Sequence, residues 1–193
     1  MELVRWFDRT VLNILTDLGG TSELRDSIVS LLANVLPFVL VIAAIWLFFA
    51  GRTPRRREIN RETALIALGA TLMAIAIRAL IAGAFARPRP FVTYPHIHHL
   101  EFGGILQGAA PNASFSFPSG HMFEMFAFAG TFYFIGKHPK LGWALLGVCV
   151  VTGLARIAAG YHYPTDIVGG ALLGLALAKL LSLQSSWARK QVR

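Results

Sequence analysis

The fold class predicted by the sequence is all-α, a polytopic membrane helix bundle of about five spans preceded by an amphipathic interfacial helix. Three observations predict it. The 193 residues are 55% hydrophobic with a mean hydropathy of +0.57, and the apolar residues fall in several runs near or beyond the roughly 18 residues that mark a spanning helix. The positive charges, which give a net +8, gather in short segments between or after those runs, where arginine and lysine set topology. The N-terminal stretch alternates apolar and polar residues at helical spacing. This placement of charge accounts for the basic balance and excludes a nucleic-acid partner. The single cysteine, Cys149, lies inside a run and forms no internal disulfide.

Residues 1–20 carry Leu3, Phe7, Val11, Ile14, Leu15 and Leu18 on one stripe, with Glu2, Arg5, Asp8, Arg9 and Asp17 mostly elsewhere round the wheel. With Trp6 beside them they predict a helix lying in the membrane interface or, by the same stripe, a cap packed on the bundle. The segment lacks the basic start and apolar run of a cleaved signal and is expected to be retained. Gly19 and Gly20 end the helix. Spans are expected over residues 27–50, kinked at Pro37, then 62–86, 118–136, 141–160 and 164–183, all within one membrane domain. Five crossings put Arg52, Arg55, Arg56, Arg57 and Arg61, the Lys137 turn and the basic tail on one side. The positive-inside rule makes that side cytoplasmic, so the loop 87–117 and the turn 156–166 face outward.

Polar residues collect where those outward segments meet the spans. Pro164 suits the first position of a helix, which puts Asp166 in its first turn. From there a carboxylate reaches back, as a capping-box acid does, toward the ring of His162 and fixes its tautomer. The long loop begins Arg87-Pro88-Arg89-Pro90-Phe91 and ends Ser116-Phe117-Pro118-Ser119-Gly120-His121. A connection of that length is uncommon without a task.

Arg89-Pro90, then Pro118-Ser119-Gly120-His121, then Arg156 with His162 and Asp166 resemble the three signature motifs of the type 2 phosphatidic acid phosphatase superfamily, over about residues 62–183. The resemblance implies a phosphohistidine on His162 and Asp166 as its orienting partner. It also makes His121 the acid that protonates the leaving oxygen and then activates water, and it implies no metal and no cofactor. Arg89 and Arg156 would grip the phosphoryl oxygens, for which a planar guanidinium fork is suited. Ser119 and Gly120 would offer backbone N–H groups at a helix start.

Two positions depart from the pattern: the lysine expected seven residues before Arg89 is Ala82, and the serine that leads the third motif is Ala155. Arg78 lies one turn before Ala82 on the same face and reaches the site in the lysine's place, or else pairs with Glu124 to join two helices. Arg87 serves either the phosphate or the anchoring of its span.

His96, His98 and His99 cluster in the loop, but neither cysteine nor regular spacing accompanies them, and a headgroup contact or a solvated loop fits better than zinc. Lys179 is placed to snorkel, and Gly170 with Gly174 to seat a neighbouring helix inside the bundle.

The short chain, the Arg-Pro-Arg-Pro-Phe stretch and the absent lysine look like the bacterial undecaprenyl-diphosphatase branch. A lipid phosphate is then the substrate, membrane lipids are the other partners, and the bacterial inner membrane is the setting. A phosphatidylglycerophosphate or phosphatidate phosphatase is the alternative within the class, and a transporter or an inactive scaffold the alternative outside it. The sequence assigns no oligomeric state.

Overall fold

The computed structural model describes residues 2–17, 22–97, 100, 115–135 and 139–191, with side chains as far as 184. Among them the chain is helical: α1 Glu2–Thr16, α2 Glu23–Asn34, α3 Phe38–Phe49, α4 Pro54–Phe85, α5 Pro90–Thr93, α6 Gly120–Phe134, α7 Pro139–Ala158 and α8 Pro164–Gln191. The calls on Gly19, Gly20, His98, His99 and Lys137, and most of the long loop, lie outside the described residues.

The bundle is arranged round α6, which packs on α8, α4 and α7 and buries an almost unbroken series from Met122 to Phe132. Helices on its flanks behave oppositely: α3, α4, α7 and α8 leave large apolar side chains such as Ile42, Trp46, Leu72, Leu80, Val150 and Leu172 exposed. In water so much exposed apolar surface would drive association, whereas acyl chains accept it.

Among the described residues three helices are long and apolar enough to cross a membrane, and the α2–α3 pair makes a fourth if the two halves form one broken span. The 15 described residues of α6 rise about 22 Å and fall short of that length, yet α6 runs from the end of the bundle that holds residues 119–121 to the end where α7 begins. The kink expected at Pro37 is a full break, with α2 and α3 bent by 43°. Proline has no N–H to continue the ladder, and the turn Val35–Pro37 closes on itself through Val35 and Leu36 N–H bonds to the Leu31 carbonyl.

Small residues bring α6 and α8 together. A Cβ at Gly170 would sit 2.6 Å from the Ser119 carbonyl oxygen, and one at Gly174 2.6 Å from that of Phe123. These glycines therefore let α8 touch the α6 backbone within one chain, as the Gly-xxx-Gly spacing suggested. Lys179 lies 5.1 Å from the Phe134 ring.

The N-terminal helix departs from its expected face. α1 packs on α7 and α8 with Asp8 and Leu12 buried, and Leu12 joins Ile97, Ile157 and Tyr163 in a small core. Much of the predicted apolar stripe, including Leu3, Phe7 and Ile14, points outward. A polar residue was expected on the free face; Asp8 is instead 2% exposed.

Candidate active site

The third motif is a helix stop, a three-residue bridge and a helix start. At the end of α7 the N–H of Gly160 donates to Ile157 O at 2.9 Å and that of Tyr161 to Arg156 O at 3.1 Å, the two bonds of a Schellman motif. Gly160 takes φ +74°, the left-handed conformation that this motif asks of its glycine. Tyr161, His162 and Tyr163 then cross to Pro164, the first residue of α8. The Asp166 carboxylate reaches back to accept the Tyr163 N–H at 2.9 Å, as a capping-box acid does. His162 is thus pinned between two helix ends, and it is 1% exposed.

The first motif leaves α4 through Ala86, whose φ of 40° is left-handed without being glycine and turns the chain toward the bundle. Arg89 follows and is buried. Its Nη1 donates to the Tyr161 carbonyl at 2.9 Å and lies 3.2 Å from His162 Nε2. A guanidinium only donates, so Nε2 presents its lone pair and the ring proton belongs on Nδ1. That proton faces Asp166, though not as the sequence suggested: Nδ1 and Asp166 Oδ2 are 3.7 Å apart, too far for a hydrogen bond. The Asp166 carboxylate is engaged by others. It also accepts from Ser116 Oγ at 2.5 Å and Arg87 Nη1 at 2.6 Å. Burial, opposed by Asp166 and reinforced by Arg156 and Arg89, pushes His162 down to about 4, so the imidazole is neutral across the physiological range.

The second motif opens α6, where Ser119 occupies the N-cap position without using its side chain as a cap. Its backbone N–H donates to the Asp166 carbonyl at 3.1 Å, which removes it from the anion-binding role expected of it. What remains is the Ser119 hydroxyl, buried and without a partner. Gly120 sits between two charged side chains: a Cβ there would lie 3.3 Å from Glu124 Oε1 and 3.4 Å from Arg78 Nε. His121, half-buried, follows, and Arg156, His162, Arg89 and Arg78 are all near enough to act on its charge. The fold thus gathers both histidines and the motif arginines at one end of the bundle.

Arg78 and Glu124 are electrostatic neighbours rather than hydrogen-bonded partners. Arg78 Nη2 donates to the Phe115 carbonyl at 3.2 Å, while its Nε is buried without a partner. Arg156, 6% exposed, reaches the Ala33 carbonyl at 3.3 Å and Asn34 Oδ1 at 3.5 Å. The break at Pro37 ends α2 there, and the negative end of its dipole faces this cation. The Arg156 guanidinium also lies 4.9 Å from the Tyr161 ring, and its Nε has no partner. Arg89 therefore feels Arg78, and Arg156 feels Arg89, through space, with Asp166 and Glu124 among the described residues to offset them. Positive charge so concentrated, with orphaned donors on Arg78, Arg156 and Ser119, fits an anion with several oxygens.

Arg87, left by the sequence between serving the phosphate and anchoring its span, is tied to α1 and α8. Nη1 donates to Asp166 at 2.6 Å and to Thr165 Oγ1 at 2.8 Å, Nη2 to Asp8 at 2.6 Å, and its Cζ lies 3.9 Å from the Tyr163 ring centre. Asp8, Ser116 and Thr165 are the polar neighbours of the site that sequence reasoning missed. A signal for Asp8 exists: Val4, Val11, Leu12 and Leu15 surround it at helical spacing, which makes it a carboxylate inside an apolar stripe. His96 is exposed beside Tyr94, and no three His, Cys, Asp or Glu side chains converge as a metal cage among the described residues.

Guanidinium groups arrayed round an imidazole lone pair, inside a bundle with lipid-facing walls, define a membrane enzyme that handles phosphate groups. Residues 63–190 match the family model described as the PAP2 superfamily; the chain belongs to that superfamily and is a phosphatase. Among its relatives, the undecaprenyl-diphosphatase BcrC of Bacillus subtilis is 30% identical over 166 residues, 84% of this chain and 76% of that protein. The bacitracin transport permease protein BcrC of Bacillus licheniformis is 27% identical over 164 residues, 85% of this chain and 73% of that one. The crystal structure of Aquifex aeolicus LpxE shares the fold with a TM-score of 0.69 and 22% identity, over 92% of this chain and 94% of that one.

Proposed function

We propose that this membrane lipid phosphatase removes the terminal phosphate of undecaprenyl diphosphate, giving undecaprenyl phosphate and inorganic phosphate, at the outer face of a bacterial inner membrane. The observation that carries the chemistry is the 3.2 Å contact between Arg89 Nη1 and the lone pair of His162 Nε2. An incoming phosphoryl oxygen offers that guanidinium a charged acceptor in place of a neutral ring, so binding the substrate frees the nucleophile and holds its target alongside.

In this reading the bound diphosphate offsets the guanidinium charge round His121 and lets it hold a proton; Nε2 attacks the terminal phosphorus in line, and the bond to the bridging oxygen breaks as His121 delivers that proton to it. Undecaprenyl phosphate leaves, and the phosphoryl group stays on His162. His121, now neutral, takes a proton from water, the hydroxide attacks phosphorus, and inorganic phosphate departs as the Nε2 lone pair returns. Arg78, Arg89, Arg156 and the Ser119 hydroxyl hold the non-bridging oxygens while charge spreads over them. Arg78 stands in for the lysine absent at Ala82. The imidazolium formed at His162 is met on Nδ1 by Asp166, whose 3.7 Å separation closes as charge develops on the ring.

The 30% identity to an undecaprenyl-diphosphatase supports the choice of substrate. The arginines of 52–61 at the far end of the 32-residue α4 support an outward site. The test is phosphate release by the detergent-solubilised protein, with a chelator present, from undecaprenyl diphosphate, phosphatidylglycerophosphate and phosphatidate. Undecaprenyl diphosphate should be hydrolysed fastest, and His162→Ala and His121→Ala should each abolish turnover while still inserting. Faster release from either glycerolipid would reassign the substrate, and sustained turnover by either histidine variant would overturn the mechanism.

A further inference from the structure

Asp8 has no role in the reaction as described, yet both of its carboxylate oxygens are engaged. Its side chain is 3% exposed. Oδ1 accepts the Thr165 N–H at 2.9 Å; Oδ2 accepts the Thr165 hydroxyl at 2.7 Å and Arg87 Nη2 at 2.6 Å. It therefore caps the start of α8 from another helix and grips the arginine that grips Asp166. A carboxylate on an interfacial helix gains nothing from burial unless something charged requires it. Here the requirement is Arg87: Asp166 alone would have to balance a guanidinium while also accepting from Tyr163 N–H and Ser116.

We propose that Asp8 is a positioning residue for the phosphatase reaction. By holding Arg87 and Thr165, it fixes the Asp166 carboxylate where that group must meet the His162 imidazolium, so α1 is part of the catalytic apparatus. The inference rests on the assignment of His162 as nucleophile and Asp166 as its partner. Its physical content is a relay of held geometry. The Asp8 carboxylate sets the guanidinium plane, and the guanidinium sets Asp166 Oδ1. With Oδ1 held, Oδ2 faces His162 Nδ1. Partners that orient metal-ligating residues from one contact further out cost about 10- to 100-fold when removed, and a loss on that scale is expected here by the same logic of held geometry.

The experiment uses the full chain in detergent micelles and measures kcat, KM and thermal midpoint for Asp8→Asn, Asp8→Glu, Arg87→Met and the Asp8→Asn/Arg87→Met double variant. Asp17→Asn, an exposed acid on the same segment, serves as the control. Asp8→Asn should lower kcat about 10- to 100-fold with KM within about 3-fold, because positioning acts on the chemical step. Asp8→Glu, which keeps the charge, should recover at least about 3-fold of that loss. The double variant should be no slower than Arg87→Met alone, since Asp8 acts through Arg87. Turnover by Asp8→Asn within about 3-fold of wild type, or losses that multiply in the double variant, would overturn the proposal. If Asp8→Asn fails to accumulate, the comparison of Asp8→Glu with Thr165→Val decides: both should lower kcat at unchanged KM, and full activity in both would refute the relay. His162→Ala tests the underlying assignment separately: turnover retained there sinks the mechanism, whereas turnover lost there but kept in Asp8→Asn sinks only the role of Asp8.

Discussion

Adding a single methyl group to Gly170 should slow the enzyme without touching a functional group. Its Cβ would meet the Ser119 carbonyl oxygen at 2.6 Å, the Met122 Cβ at 3.0 Å and the Phe123 backbone nitrogen at 3.1 Å. Two of these are backbone atoms of the α6 start, so no rotamer relieves them. Restoring an ordinary 3.4 Å contact requires α8 and α6 to separate by about 0.8 Å at this level. Gly170 lies one turn beyond Asp166, and Ser119 two residues before His121, so the separation falls between the two histidines. Overpacking of this kind costs about 1–3 kcal/mol of stability. A misplacement near 1 Å costs about 100-fold in rate when reacting groups must be aligned. Gly170→Ala should therefore lower kcat by about 10- to 100-fold while the thermal midpoint falls only by several degrees. The assay is phosphate release alongside a melting curve in the same detergent. A Gly170→Ala enzyme with wild-type kcat would show that the α6–α8 contact does not set the site.

Three further predictions concern the site itself. Arg89→Lys keeps the charge but cannot serve the Tyr161 carbonyl and the phosphoryl group together, so it forfeits about one charge-assisted hydrogen bond, 1.5–3 kcal/mol, and kcat/KM should fall about 10- to 150-fold. A loss below 3-fold would deny Arg89 a forked contact. The pH dependence follows from His162, held down to about 4. Its lone pair is lost only when pH falls through that value, so the acid limb of kcat/KM should lie near 4 instead of near 6.5. The sign for stability agrees. The unfolded chain takes up this proton near 6.5 and the folded chain near 4, so stability from this group declines as pH drops through that window. Arg156→Gln should move the acid limb upward by removing a nearby positive charge; an unmoved limb would contradict the coupling.

Much of the site was legible because its residues punctuate the chain. Gly160 and Pro164 mark a helix stop and a helix start, and that punctuation alone places His162 and Asp166 at one end of the bundle. Arg89-Pro90 and Ser119-Gly120-His121 flank a long loop, so they return to the same end by topology. The Gly170 and Gly174 spacing correctly indicated a close contact inside the bundle.

What escaped the sequence depends on contacts between segments far apart. The distribution of bonds at Asp166 follows from Ser116 and Arg87 arriving from the other side, which leaves His162 Nδ1 3.7 Å away. The Ser119 N–H is consumed by a carbonyl of α8, which no local pattern signals. Asp8 was misassigned because a carboxylate on an amphipathic helix is ordinarily solvated, and only the arginine it meets makes burial favourable. The severity of the break at Pro37 escaped for a related reason: proline allows either a bend or an interruption, and contacts such as that between Ala33 and Arg156 decide which.

The central claim, that His162 carries the phosphoryl group between two half-reactions, is tested most directly by trapping it. Wild-type enzyme turning over undecaprenyl diphosphate labelled in its terminal phosphate is quenched in alkali, where a phosphorus–nitrogen bond survives, and digested to locate the label. The account predicts label on the peptide containing His162 and none on the His162→Ala protein. Label on another residue, or labelling that persists without His162, would contradict it.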